Sequence, residues 1–136
     1  TFKAANFDHV TIAGIFSTRN KSALINRSFY SVFDFDHVPE PEKVKLILIN
    51  DPYIRPDLVF VSPSGDGVKA VIYDQDQTDH EKFYQLVTSY IRIKHPDIYL
   101  YLDKGTKDIA RTCFLCHDPQ AYINPNILEL WQAQQN

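Results

Sequence analysis

Two aspartates stand two positions apart in the aromatic, apolar stretch "SFYSVFDFDHV", residues 28–38. Side chains alternate between the faces of a β-strand, so Asp34 and Asp36 share one face and Phe33 and Phe35 share the other. Two adjacent carboxylates repel each other unless a cation compensates them. Their hard oxygens suit Mg²⁺ or Mn²⁺. The spacing therefore predicts a divalent-metal site, although it also fits a strand that ends at a solvated Asp36.

A glycine-rich stretch, "SPSGDGVK", covers residues 62–69. Ser64, Gly65 and Gly67 can expose backbone N–H groups that bind an anion. Lys69 follows as a point charge suited to phosphate. The stretch therefore predicts a phosphate-binding turn between two strands, with a plain hairpin and a solvated lysine as the alternative.

A third charged stretch, "YLDKGTKDIARTCF", covers residues 101–114. It brings two acids, Asp103 and Asp108, close in sequence to the basic residues Lys107 and Arg111. A further carboxylate beside a basic cluster would suit phosphoryl chemistry, whereas a solvated charged loop would have the same composition.

The two cysteines, Cys113 and Cys116, spell the haem-attachment motif in "CFLCH". The motif lies in an apolar stretch typical of a strand, where residues three apart face opposite sides. The chain has no methionine that could serve as an axial ligand. We therefore predict reduced, structural cysteines, with neither haem nor zinc.

The overall composition limits the class of protein. The chain has 136 residues, 44% of them hydrophobic and 23% charged, which fits one globular domain. Its net charge of −3 argues against coating nucleic acid by charge alone. Neither a membrane-length apolar run nor a signal segment is present, which predicts a cytoplasmic protein. Because it begins with Thr1 and lacks methionine, we expect a fragment of a longer protein.

Apolar periodicity and turn residues predict the secondary structure. We expect strands over 10–16, 29–36, 58–62 and 68–73, helices over 40–50 and 79–94, and a last strand in "RTCFLCHD". From residue 29 onward this is a β-α-β-β-α-β order, typical of an α+β fold with an RRM/ferredoxin-like sheet. A short helix after residue 18 would make the N-terminal segment a β-α extension. Both main helices would cover one face of the sheet and leave the other for a site.

Several motifs together resemble one protein family. They are "GIFSTRNKSALINRS", "FDFD", "DPYIRPDLVFVSPSGDGVKAVI" and "KGTKDIARTCFLCHDPQAYINPN", which extend over about residues 12–126. The chain resembles the BT4734-like N-terminal domain of mobile-element primases, which is grouped with the virulence-associated E proteins. That family is similar to the archaeo-eukaryotic primase superfamily.

The resemblance implies an RNA-recognition-like catalytic sheet that transfers nucleotides with two Mg²⁺ or Mn²⁺ ions. It assigns catalytic and metal-binding roles to Asp34, Asp36 and Asp103, with Asp108 as the next choice for the third acid. The nucleotide-binding residues that it implies are Ser64, Gly65, Gly67, Lys69, Lys107 and Arg111. Lys69 stands where the superfamily usually has histidine, which keeps a cation for phosphate but loses a neutral donor.

The implied function is DNA priming or extension during replication of a mobile element in the bacterial cytoplasm. The implied partners are nucleoside triphosphates, a single-stranded DNA template and a C-terminal helicase-like domain of the same chain, and no membrane. Two alternatives stay open. One is a catalytically inactive module of the same fold that binds nucleic acid or nucleotide, which the lysine at position 69 favours. The other is a metal-dependent nuclease.

Overall fold

The computed structural model describes residues 8–136. In that range the chain forms three antiparallel sheets and four α-helices, so the predicted α+β class is confirmed. The strands are β1 His9–Thr11, β2 Gly14–Phe16, β3 Leu24–Arg27, β4 Tyr30–Phe35, β5 Leu58–Val61, β6 Val68–Tyr73, β7 Thr112–Phe114 and β8 Tyr122–Ile123. The helices are α1 Pro41–Asn50, α2 His80–Lys94, α3 Pro96–Tyr99 and α4 Pro125–Gln135.

The largest sheet has the strand order β4-β6-β5-β8. The pairing of β4 with β6 confirms the predicted contact between the aspartate strand and the strand that follows the glycine-rich turn. Tyr30 lies opposite Tyr73 at one end of this pair, and Asp34 lies opposite Lys69 towards the other end. The register thus sets the carboxylate strand directly against the predicted phosphate-binding lysine.

One face of this sheet packs against helices α1 and α2. Phe33 and Phe35 are fully buried on that face, as the alternation in β4 predicts. Their neighbours in the same apolar core are Val44 and Leu48 of α1 and Phe83, Tyr84, Val87 and Ile91 of α2. Because the phenylalanines point to the helices, Asp34 must point to the opposite face.

The opposite face carries a smaller apolar cluster, and here the predicted topology is wrong in one element. The strand expected to complete the large sheet is β7, which pairs instead with β1 in a separate two-stranded sheet. From there Cys113 packs on Val32, Phe60 and Val71, so the ribbon covers part of the face that we expected to be open. A three-residue strand carries too little pattern to specify either position, and in the observed one Cys113 is buried.

The edge of the sheet beside β4 is occupied by a single bridge between Phe35 and Leu102. The N-terminal extension also differs from the predicted β-α unit. It consists of β1, β2 and β3, with a 3-10 turn at Lys21–Ala23 where a helix was expected. Gly14 permits the β2–β3 contact, because a Cβ there would lie 2.4 Å from the carbonyl oxygen of Asn26. None of the helices in residues 8–136 combines the length and apolar character needed to cross a membrane.

The buried carboxylate of Asp51, directly after α1, forms hydrogen bonds that connect α1 with α2. The Asp51 side chain accepts hydrogen bonds from the backbone N–H groups of Tyr53 and Ile54 at 2.8 and 3.0 Å. It also bonds the Tyr90 hydroxyl at 2.8 Å and the His95 Nε2 atom at 2.7 Å. Burial alone would raise the pKa of Asp51, but these hydrogen bonds outweigh burial and lower the pKa below its ordinary value of 3.8.

Asp51→Asn should therefore lower the free energy of unfolding at neutral pH by about 1.5–3 kcal/mol, typical of hydrogen bonds to a buried charge. A carboxyl whose pKa is depressed in the folded state stabilises the protein above its unfolded pKa and loses that contribution as the pH falls through the folded value. The difference from the parent should thus be constant above about pH 5 and shrink below about pH 4. Urea titrations across pH measure it, with the exposed Glu129→Gln as the control. A difference that persists unchanged at low pH would contradict the ionic role of Asp51.

Candidate metal centre

Three carboxylates converge at the end of the large sheet where β4 finishes. Asp34 lies in β4, Asp36 follows the strand by one position, and Asp103 comes from the loop after α3. One oxygen from each carboxylate lies within 4.8 Å of the others. The cluster thus combines the two aspartates predicted from their spacing with the third acid that the family resemblance pointed to.

The backbone explains how distant residues reach this cluster. The bridge between Phe35 and Leu102 holds the two segments side by side. The Asp36 N–H donates to the carbonyl oxygen of Tyr101 at 2.9 Å, and the Asp103 N–H donates to the carbonyl oxygen of Asp34 at 2.7 Å. These two hydrogen bonds fix the third carboxylate beside the first two without a full fourth strand.

Two cations pair with the acid cluster. The Lys69 Nζ atom donates to the Asp34 Oδ2 atom at 2.5 Å, and the side chains are only 12% and 8% exposed. The Arg111 Nη2 atom donates to the Asp103 Oδ2 atom at 2.9 Å. Lys69 thus faces the aspartates and not the helices, as strand alternation predicts.

One carboxylate oxygen in the cluster is left without compensation. The Asp34 Oδ1 atom is buried and has no hydrogen-bond partner, although its fellow oxygen bonds Lys69. An unsatisfied buried acceptor is costly, and a bound cation would satisfy it. The Asp34 Oδ1 atom is therefore available as a ligand for a metal ion.

The same crowding acts on Asp36. Burial raises its pKa, and the neighbouring carboxylates of Asp34 and Asp103 raise it further. The positive charges of Lys69 and His37 lower it, but less. Three carboxylates against two paired cations leave the site an excess of negative charge, which favours a divalent cation.

The glycine-rich turn lies next to this site. Its Gly65 has a left-handed backbone (φ 84°) that glycine adopts without strain. Its Gly67 packs so closely that a Cβ there would lie 2.6 Å from the Ser62 Oγ atom and 3.2 Å from the Phe35 carbonyl oxygen. The Ser64 hydroxyl donates to Asp66 Oδ1 at 2.7 Å. The side chain that we predicted to contact the nucleotide thus forms a hydrogen bond within the turn.

Gly67→Ala should destabilise the protein by about 1–3 kcal/mol, the usual cost of forcing a methyl group into a packed site. The added methyl group would press on the carbonyl oxygen of Phe35, at the end of β4 and directly before Asp36. Gly65→Ala is the matched control, because a Cβ there meets open space and disturbs only the backbone conformation. Thermal unfolding of both variants measures the costs. We expect Gly67→Ala, and not Gly65→Ala, to shift the amide NMR signals of Phe35 and Asp36. Equal shifts in both variants would contradict a specific contact between Gly67 and the end of β4.

The charged loop contains two further predicted residues, Lys107 and Asp108. Lys107 is exposed at the end of the 3-10 turn Lys104–Lys107. Asp108 accepts a hydrogen bond from the Ala110 N–H at 3.0 Å and does not belong to the acid cluster in the described part of the chain. Of the two candidates for the third acid, Asp103 lies in the carboxylate cluster of the described residues and Asp108 does not.

Two further residues lie near the site, and the sequence analysis did not connect either of them with it. His37 adopts a left-handed backbone (φ 55°), and its Nδ1 atom lies 3.3 Å from the Asp66 Oδ2 atom. The only sequence signal for the location of His37 beside the cluster is that it directly follows Asp36. The sulfur of Cys113 is buried beneath the sheet, close enough to Lys69 and Asp34 for their charges to act on it.

Both cysteines are free thiols, and they do not face opposite sides as predicted. Because β7 ends before Cys116, the chain turns and both pack on the same small cluster. Burial raises the pKa of each thiol, which keeps it protonated and weakens it as a metal ligand.

The described residues thus define an antiparallel α+β domain with a carboxylate cluster, paired to lysine and arginine, at one end of its main sheet. Residues 2–123 match the family model for the BT4734-like, N-terminal domain, so the chain belongs to that family. Searches of curated proteins and of solved structures found no match.

Proposed function

We propose that this domain is a divalent-metal-dependent nucleotidyltransferase of the DNA primase/polymerase type, acting in the replication of a mobile element. The observation that carries the proposal is the cluster of Asp34, Asp36 and Asp103, with one buried oxygen left without a hydrogen-bond partner. Membership of the BT4734-like family supports it. The β4–β6–β5 strand order under two helices supports an RRM-like core reduced at its fourth strand.

The donor set fits the metal that this chemistry needs. Asp34, Asp36 and Asp103 would hold Mg²⁺ or Mn²⁺ through carboxylate oxygens, which those ions prefer. A divalent metal would supply positive charge for activation of a 3′-hydroxyl and for stabilisation of the leaving pyrophosphate. The cysteines, with raised pKa values and apolar surroundings, suit neither haem nor zinc at this site.

The remaining roles fall to cations at the rim of the cluster. Lys69 would exchange its contact with Asp34 for a triphosphate oxygen. Arg111 orients Asp103 and would neutralise charge on an incoming phosphate, while the exposed Lys107 would contact the template. The backbone of the Ser64–Gly67 turn would bind the triphosphate, with the Ser64 hydroxyl shaping the turn.

A single incubation tests the proposal. The protein is mixed with a primed single-stranded DNA template, Mn²⁺ and either ribo- or deoxynucleoside triphosphates, and the products are separated by length. Primer extension supports nucleotidyl transfer. Shortened DNA would instead support the metal-dependent nuclease, and unchanged DNA would leave the binding module.

One observation favours a catalytically inactive nucleotide- or nucleic-acid-binding module as the second candidate. Lys69 already compensates one oxygen of Asp34 at 2.5 Å, which is the role of a structural counter-ion. In either case the functional partners would be nucleoside triphosphates, single-stranded DNA and a helicase-like domain of the same protein in the bacterial cytoplasm.

A further inference from the structure

A second concave site lies at the other end of the main sheet. A groove of about 840 Å³ runs between α2 and the loop 52–57, where β4 begins and β6 ends. Tyr30 and Tyr73 mark this end, four positions along each strand from Asp34 and Lys69. At about 3.4 Å per residue the two sites are roughly 14 Å apart along the sheet. The groove is therefore separate from the acid cluster.

The groove has an apolar floor and aromatic walls. Its floor contains the buried side chains of Ile72, Phe83 and Val87. Two pairs of tyrosines line it, one on each side of the sheet, because Tyr30 packs on the small cluster with Val32 and Tyr90 packs on the helix-covered core. The rings of Tyr30 and Tyr73 are 5.1 Å apart, and those of Tyr53 and Tyr90 are 5.8 Å apart and steeply inclined to each other. Tyr53 is 77% exposed, so its ring is accessible to a ligand.

The charges that line the groove are mainly negative. Among its described lining residues are three carboxylates, Asp57, Asp74 and Asp76, and one cation, Arg55. The Arg55 Nε atom donates to the Pro52 carbonyl oxygen at 2.8 Å, which ties that side chain to its own loop. A net negative lining disfavours phosphate and carboxylate ligands and favours a cation.

Hydrogen bonds make two of the aromatic rings electron-rich. The Tyr30 hydroxyl donates to the Asp57 Oδ2 atom at 2.9 Å, and the Tyr90 hydroxyl donates to the Asp51 Oδ2 atom at 2.8 Å. Burial and the bonded carboxylate raise the pKa of each tyrosine to about 12. A phenol that donates to a carboxylate gains electron density on its ring, which strengthens attraction for a cation above the ring face.

We infer that this groove binds a small organic cation, an ammonium group attached to an apolar body. The apolar part would lie on Ile72, Phe83 and Val87, and the ammonium would lie on the rings of Tyr53 and Tyr90, on the same helix-covered side of the sheet. The negative charges of Asp76 and Asp57 at the end of the sheet would attract it. Charge complementarity selects this ligand over a nucleotide, whose phosphates the lining would repel. The groove would thus serve an effector or accessory ligand and does not contribute to nucleotide binding.

The first test compares two probes of the same shape. Choline and its neutral analogue 3,3-dimethylbutanol differ only in the charged nitrogen. We expect choline to shift the amide signals of Tyr53, Arg55 and Thr78 in a heteronuclear NMR titration. The neutral analogue should bind about 3- to 30-fold more weakly, as loss of a cation–π contact implies. Equal binding of both probes, no binding of choline, or tighter binding of adenosine monophosphate would each overturn the inference.

The second test uses exposed residues so that the variants fold. Tyr53→Leu removes an accessible ring but keeps an apolar side chain, and it should weaken choline binding about 3- to 10-fold. Asp76→Asn should weaken it about 2- to 5-fold, the range for an exposed charge pair. Asp97→Asn, an exposed carboxylate outside the groove, is the matched control. Unchanged affinity in both groove variants would show that choline binds elsewhere and would overturn the assignment.

Discussion

Replacing Asp34 and Asp36 together by asparagine should abolish measurable Mn²⁺ and Mg²⁺ binding and, with it, primer extension. The substitutions keep the side-chain shape, and the new amide at position 34 retains an oxygen that can accept from Lys69. They remove two of the three charges that the cluster presents to a metal. Loss of an outer-shell partner alone costs about 10- to 100-fold in metal affinity, so loss of two direct ligands should exceed about a hundredfold. Calorimetric titration with Mn²⁺ measures the change.

The matched control is Asp108→Asn. Asp108 lies near Asp103 in sequence, but its carboxylate accepts a hydrogen bond from the Ala110 N–H. It does not belong to the acid cluster found among the described residues. This variant should bind Mn²⁺ as the parent does. If Asp108→Asn lost metal affinity while the double variant kept it, the carboxylates of the cluster would not be the ligands. Circular dichroism of each variant ensures that the comparison is made on folded protein.

The sequence predicted those features of the site that depend on one strand and its neighbour. Alternation in "VFDFD" separates Phe33 and Phe35 from Asp34, and burial of the two phenylalanines confirms that separation. The glycine-rich turn fixes where β6 begins, and pairing of β6 with β4 then brings Lys69 opposite Asp34. Each of these steps follows from a local period and one strand pairing.

Contacts between distant segments were not predictable in the same way. A three-residue strand such as β7 carries too little pattern to choose its partner, so its pairing with β1 depends on packing that no local signal encodes. The hydrogen bonds that bring Asp103 to the cluster are made by backbone groups, which every sequence supplies. Asp51 and His95, 44 positions apart, meet because two helices pack together. Resemblance to a family pointed to Asp103, but periodicity did not.

Lys69 is either a ligand of the triphosphate or only the counter-ion of Asp34, and these two roles predict different effects of removing its charge. Its ammonium compensates Asp34 at 2.5 Å. If it also contacts the triphosphate, Lys69→Ala should remove a charge-assisted hydrogen bond worth roughly 1.5–3 kcal/mol. Nucleotide affinity should then fall about ten- to a hundredfold. Mn²⁺ affinity should not fall, since the variant frees an Asp34 oxygen and removes a repelling charge.

Titrating the Lys69→Ala variant separately with Mn²⁺ and with a nucleoside triphosphate in the presence of Mn²⁺ resolves the two roles. Lys69→His tests whether the histidine that the superfamily resemblance implies at this position restores nucleotide affinity, and the exposed Lys104→Ala controls for loss of one positive charge. If Lys69→Ala binds Mn²⁺ more tightly and nucleotide unchanged, Lys69 is only the counter-ion of Asp34. The lysine would then stabilise the fold where a catalytic site would need a phosphate ligand, and the non-catalytic module would be the better description of this domain.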